Sequence, residues 1–204
     1  HPEIVRDGPG DCPICGMALE PMVPAASDEP SPELRDFTIR FWVSAVLSVP
    51  LLVLGMGPTF GLPFRVWIGE PLAGYVELAL ASPVVLWAAW PFFRRFAASL
   101  RNRSPNMWTL IGLGVGAAYL FSVVAVLFPQ LFPMGIAHEG VPTYFEPAAV
   151  IVALVFLGQV LELRAREQTG HALRALLDLA PKTARLIRDG LALIAGGYRK
   201  LLKP

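Results

Sequence analysis

Apolar side chains gather in four long runs along this chain, at about residues 37–59, 71–93, 106–128 and 147–161, with polar, Gly/Pro-rich or arginine-rich stretches between them. A helix needs about 20 mostly apolar residues to cross the hydrocarbon layer, so the first three runs predict membrane spans directly. The fourth passes without any breaker into Glu162, Arg164, Arg166 and Glu167 on the same helical period. That pattern predicts a helix that leaves the bilayer and continues into water as a stalk. Pro147 fits its first turn, where a missing N–H costs nothing. The pattern as a whole predicts an all-α membrane protein of four transmembrane helices, with a small N-terminal knuckle and a helical stalk.

The remaining residues divide accordingly. Residues 1–23 form a Gly/Pro-rich knuckle around Cys12 and Cys15, residues 24–36 a Pro/Ser/acid linker, and residues 37–128 the first three spans. Between spans two and three, residues 92–104 predict an interfacial helix, with Phe92, Phe93, Phe96 and Leu100 opposite Arg94, Arg95, Arg101 and Arg103. Residues 142–180 hold the fourth span and stalk, and 181–204 a separate tail. Pro83 and Pro91 should bend span two, because each removes a helical hydrogen bond. Gly112, Gly114 and Gly116 follow no strand and lie in an apolar helix, so Gly112 and Gly116 predict a small face for close packing, not a dinucleotide loop. Composition agrees: 54% hydrophobic and 16% charged, against roughly a quarter charged in soluble domains. A net charge of +1 points away from nucleic acid as a partner and leaves the lipid bilayer as the main one. Two cysteines are too few for a secreted disulfide framework, and no signal peptide is visible ahead of the first span. The start at His1 without methionine predicts a truncated N-terminus.

Basic residues set an expected orientation. Arg35 and Arg40 precede span one, four arginines separate spans two and three, and Arg164, Arg166, Arg174 and Lys182 follow span four, whereas the loop 129–143 has no Lys or Arg. The positive-inside rule then puts both termini and the 94–105 loop in the cytoplasm of a multi-pass plasma-membrane (inner-membrane) protein. Met107 would open span three at the cytoplasmic face and Glu162 would close span four there. A soft sulfur and a carboxylate on antiparallel neighbours make a transient stop for Cu(I), weak enough to let the ion go. Glu146 lies at the opposite mouth, sixteen residues from Glu162, or about 24 Å. Plainer roles exist for each: Glu162 pairs favourably with Arg166 four residues on, Glu146 suits a helix N-terminus, and Met107 suits lipid. Glu77, inside span two, reads first as a bundle-facing carboxylate with a local partner. In the knuckle, thiolate plus thioether from Met17 or Met22 suits Cu(I), while two thiolates completed by nitrogen or more thiolate suit Zn(II). One C-x-x-C supplies half a tetrahedral site, so His1 or a second chain must complete it; a redox dithiol and an unoccupied knuckle are the other readings.

The stretch YFEPAAVIVALVFLGQVLELRAREQTGHALRALLDLAPKTAR resembles the second core transmembrane helix and linker of copper-transporting P-type ATPases, and SPNMWTLIGLGVGAAYLFSVVAVLFP resembles the first core helix. With CPICGM and ASPVVLWAAWPFF, the likeness runs in order from residue 1 to about 188. The resemblance implies two accessory and two core spans, with Met107 and Glu162 matching the family's metal-entrance methionine and glutamate and Glu146 its exit glutamate. Pro147 stands where the family usually has alanine. The knuckle is similar to the heavy-metal-binding segment of some copper pumps, implying His1, Cys12, Cys15 and Met17 as ligands for Cu(I), or for Ag(I) or Zn(II). The arginine segment resembles a platform proposed to receive a copper chaperone, which in the family follows a bend at Gly-Gly; here the pair is Ala88-Ala89, and alanine favours a straight helix. The membrane-embedded Cys-Pro-Cys, the phosphorylation loop and the nucleotide domain are absent from these 204 residues. ATP and Mg would therefore serve only a full-length parent, and the implied activity is that of its membrane portion in Cu(I) export. The tail 181–204 reads either as the start of an actuator domain or as a divergent end. A stand-alone membrane metal-binding or scaffold protein, or a non-functional gene fragment, is the alternative.

Overall fold

In a computed structural model of the protein, the described residues are 4–8, 10, 12–14, 19, 31–57, 61, 64–132, 141–178, 183–188 and 191–196. Helix α1, Pro32–Met56, starts on a sequence signature for an N-terminus. Ser31 caps it by accepting from Leu34 N, Pro32 takes the first turn, and Glu33 meets the positive end of the dipole. The linker read as 24–36 therefore gives way to helix at Pro32. Helix α1 runs on through Pro50 and buries Leu34, Phe37, Ser44, Ser48, Leu51 and Leu54 on one face. Trp42, Val46, Val49 and Val53 stay exposed on the other, as lipid contact demands.

A short helix, α2 (Phe64–Ile68), leads through Gly69 to α3 (Glu70–Ser82). Gly69 has φ 92°, a backbone conformation that disfavours a side chain. The chain then widens into a π-helical turn over Pro83–Ala88 and breaks at Ala89 before α4, Trp90–Arg101. Span two thus covers Pro71–Ala88 and ends five residues short of the sequence expectation. Despite the alanine pair, the helix is interrupted. Pro91 has no N–H for the carbonyl of Trp87, and Phe92 N bonds to Ala89 O, so the ladder is lost there. Arg40 of α1 replaces it, donating from Nη1 to Trp87 O at 2.7 Å and to Ala88 O at 3.2 Å.

Helix α5, Met107–Leu127, opens on a capping box in which Asn106 accepts from Trp108 N and Thr109 N while Thr109 Oγ1 accepts from Asn106 N. The predicted small face is real, and a side chain occupies it: a Cβ on Gly112 would lie 2.5 Å from Cγ of Phe96 of α4. Helix α6, Phe145–Asp178, is one uninterrupted helix of 34 residues, spanning and stalk together. It packs along α1 and α5. Four helical stretches, in α1, in Pro71–Ala88, in α5 and in Phe145–Thr169, are long and apolar enough to cross a membrane, so the predicted four-span helical architecture holds. Beyond it, Thr183–Arg188 (β1) and Leu191–Gly196 (β2) pair as an antiparallel ribbon, Thr183 opposite Gly196.

The core is aromatic at one end. Phe156 of α6 lies 4.3 Å, centroid to centroid, from Phe92 and 5.6 Å from Phe37, and Phe92 stacks on Trp108 at 5.2 Å. Ring pairs at these separations add to area burial.

Candidate functional site at the two ends of the bundle

Connectivity gives the bundle a near end, where α1, α4 and α5 begin, and a far end, where α1 and α5 finish and α6 starts. Met107 and Glu162 belong to the near end. Met107 is the first residue of α5 and more than half exposed. Glu162 is also exposed, and both its oxygens are engaged on its own helix: Arg166 Nη2 donates to Oε1 at 2.6 Å and Gln159 Nε2 to Oε2 at 3.0 Å. The aromatic layer sets their relative depth. Trp108, next to Met107, is joined through Phe92 to Phe156, and Glu162 lies six residues farther along α6, or about 9 Å. Both residues therefore belong to the same end of the bundle.

The four arginines of the 94–103 segment separate. Arg94, Arg101 and Arg103 are exposed. Arg95, grouped with them in the sequence, is 6% exposed and turns into the bundle. It pairs with Glu33 at 3.0 Å and lies 4.8 Å over the Trp108 ring and 5.7 Å over Phe37. Position three along the amphipathic turn puts it on the face of Phe92 and Ser99, which are buried with it. It is therefore a packing residue of the near end, not part of an exposed basic surface.

Of the knuckle, His1, Cys15 and Met17 lie outside the described residues. Cys12 is buried, at 4% exposure. The adjoining Pro13 and Ile14 carbonyls accept from Asn102 Nδ2 at 2.5 and 3.0 Å, so the knuckle rests on the end of α4, between Arg101 and Arg103 in the chain. Among the described residues, no group of three or more His, Cys, Asp and Glu side chains gathers at one point.

Glu146 occupies the first turn of α6 at the far end, half-buried. Its carboxylate lies against Gly55 of α1 so closely that a Cβ there would collide with Oε2. Gly55 carries no sequence signal of its own beyond being one of two glycines, with Gly57, at the end of an apolar span. The lead into α6 is tied down on both sides: Tyr144 N donates to Ser122 Oγ at 2.6 Å, and Thr143 Oγ1 donates to Glu77 Oε2 at 2.7 Å. Glu77 does have the local partner expected of it, Arg65 Nη2 at 3.5 Å. The arrangement thus offers a soft sulfur and an acid at one end and oxygen ligands at the other. Hard oxygen ligands of this kind bind soft monovalent ions weakly.

Residues 1–22 match the heavy metal binding domain family. Over 190 residues, 92% of its length, the chain is 70% identical to a copper-transporting P-type ATPase of Rhizobium leguminosarum bv. viciae, covering 23% of that protein. It is 56% identical over 93% of its length to a silver exporting P-type ATPase of Salmonella typhimurium, covering 23% of it. It is 50% identical over 93% of its length to a copper-exporting P-type ATPase of Legionella pneumophila, covering 26% of it. The chain spans about a quarter of the length of the curated relatives it matches.

Proposed function

We propose that this chain, similar along nearly all its length to copper- and silver-transporting P-type ATPases, supplies the membrane path of a Cu(I)-exporting pump. The observation that carries the reading is the distribution of its ligands in a four-span bundle: Met107 and Glu162 at the end where the stalk leaves, Glu146 at the other. In this reading the near end faces the cytoplasm of the plasma (inner) membrane, as the arginine distribution favours. The metal ion is cargo. Met107 receives Cu(I) through its thioether, Glu162 exchanges Arg166 for the ion, and Glu146 holds it briefly before release. The knuckle, through Cys12 with Cys15, Met17 and His1, collects metal next to the entrance, and Arg94, Arg101 and Arg103 offer a basic surface to an acidic carrier such as a copper chaperone. ATP hydrolysis belongs to domains outside these 204 residues.

The test is a chimera in which this chain replaces the matching quarter of the Rhizobium relative. ATP-dependent Ag(I) or Cu(I) uptake into inside-out vesicles is expected, and Met107→Leu and Glu146→Gln are each expected to reduce it. A folded chimera with no uptake, beside a purified chain that still binds Cu(I), would favour the stand-alone metal-binding reading.

A further inference from the structure

Glu77 is a further carboxylate toward the far end, and the transport path outlined above makes no use of it. It is 3% exposed, a depth at which an ionised carboxylate is costly unless its charge is matched. The matching is unequal. Oε2 accepts from Thr143 Oγ1 at 2.7 Å. Oε1 accepts no hydrogen bond, and Arg65 Nη2 stands 3.5 Å from it, against roughly 2.7–2.9 Å for a seated charge-assisted bond. A buried oxygen thus keeps open lone pairs, with a cation held beside it and not on it. Thr143 precedes Glu146 by three residues, so its bond to Glu77 ties that carboxylate to the foot of the helix whose first turn carries Glu146.

Taken by themselves and fully ionised, Glu77, Glu146 and Arg65 sum to a single negative charge, which one monovalent cation neutralises. Charge of that size, one open buried oxygen and hard oxygen ligands together suit a monovalent soft ion that must be let go. We propose that Glu77 and Glu146 form a shared release site for the metal ion, and that Arg65 is a tethered cation that competes for Glu77 and drives the ion out. The inference rests on the far-end role given to Glu146. A purely structural ion pair joining α2 to α3 accounts for the proximity of Arg65 but not for the open Oε1, and such pairs add little stability over apolar replacements.

The test uses the full chain in lipid nanodiscs, carrying Cys12→Ser/Cys15→Ser to silence the knuckle, with Ag(I) as the redox-inert probe. Affinity is read by chelator competition and by the Ag(I)-induced rise of the unfolding midpoint. Arg65→Gln is expected to tighten Ag(I) binding by about tenfold or more. Adding Glu77→Gln or Glu146→Gln to it is expected to remove the gain. Unchanged Ag(I) affinity in a folded Arg65→Gln chain overturns the proposal, as does a gain that either carboxylate substitution leaves intact. Should Arg65→Gln not fold, Arg65→Leu removes the same charge with a side chain the membrane interface accepts, and the same outcomes apply. Met107→Leu in the same background reports on the near end alone, so failure of the entrance reading leaves the Arg65 result standing.

Discussion

Arg40 of α1 holds Trp87 of span two in two ways at once. Its Nη1 donates to the Trp87 carbonyl at 2.7 Å while the guanidinium lies 4.9 Å over the indole, and Asp36 fixes its Nε at 2.8 Å. The carbonyls of Trp87 and Ala88 lie where the helix breaks ahead of Pro91, and a side chain from another span makes up the missing donors. Replacing Arg40 with Leu leaves those acceptors without it. The expected cost is about 1–3 kcal/mol, read as a lower thermal unfolding midpoint in nanodiscs, and Arg40→Lys should restore part of it.

Gly112 has a comparable constraint of space. Because a Cβ would meet the Phe96 ring at 2.5–2.9 Å, Gly112→Ala should destabilise the α4–α5 contact by about 1–3 kcal/mol. Phe96→Leu in the same chain should recover much of that loss, and a double-mutant cycle on unfolding midpoints measures the coupling.

Glu162 and Arg166 allow the metal role to be separated from the ion pair. Their contact is exposed, with side-chain exposures of 47% and 39%, so breaking it from either side should change stability by less than about 0.5 kcal/mol. In the chimera, Glu162→Gln is expected to cut Ag(I) uptake about tenfold or more, whereas Arg166→Gln leaves uptake within twofold of the parent. Equal effects of the two substitutions on uptake would reduce Glu162 to an ordinary helical partner.

Gly55 provides a steric test of the far end. Gly55→Ala should push the Glu146 carboxylate from its seat on α1. Uptake by the chimera should then fall about as far as with Glu146→Gln, and the double change should be no worse than either alone.

Asn102 anchors the knuckle through the Pro13 and Ile14 carbonyls. In a Cys15→Ser chain, Asn102→Ala should expose the buried Cys12 and speed its alkylation about tenfold, since opening of a local contact limits access. An unchanged rate would show that burial of Cys12 is independent of α4.

Much of this was written plainly in the residues. The four apolar runs, the Ser31-Pro32-Glu33 start of α1, the helix running through Glu162 into the stalk and the glycine face of α5 all follow from period and capping. What escaped the sequence depends on which helix stands beside which. Arg95 reads as one of four basic residues until α4 docks and turns it onto Trp108. The bend of span two is legible in Pro83 and Pro91 whatever Ala88-Ala89 favours, but not the arginine 47 residues away that supplies donors at the break. Gly55 and Arg65 gain meaning only when Glu146 and Glu77 arrive from other spans.

The unbroken course of α6 has a mechanical consequence. From Glu146 to Asp178 the chain is a single rod of 33 residues, about 48 Å long. Its first turn carries the carboxylate lodged against Gly55, and farther along Glu167 Oε1 accepts from Ser31 N at the cap of α1 at 2.9 Å. With no break in the helix between them, a few degrees of rotation at the Glu167 end would be delivered to that carboxylate, like a key turned from outside the lock.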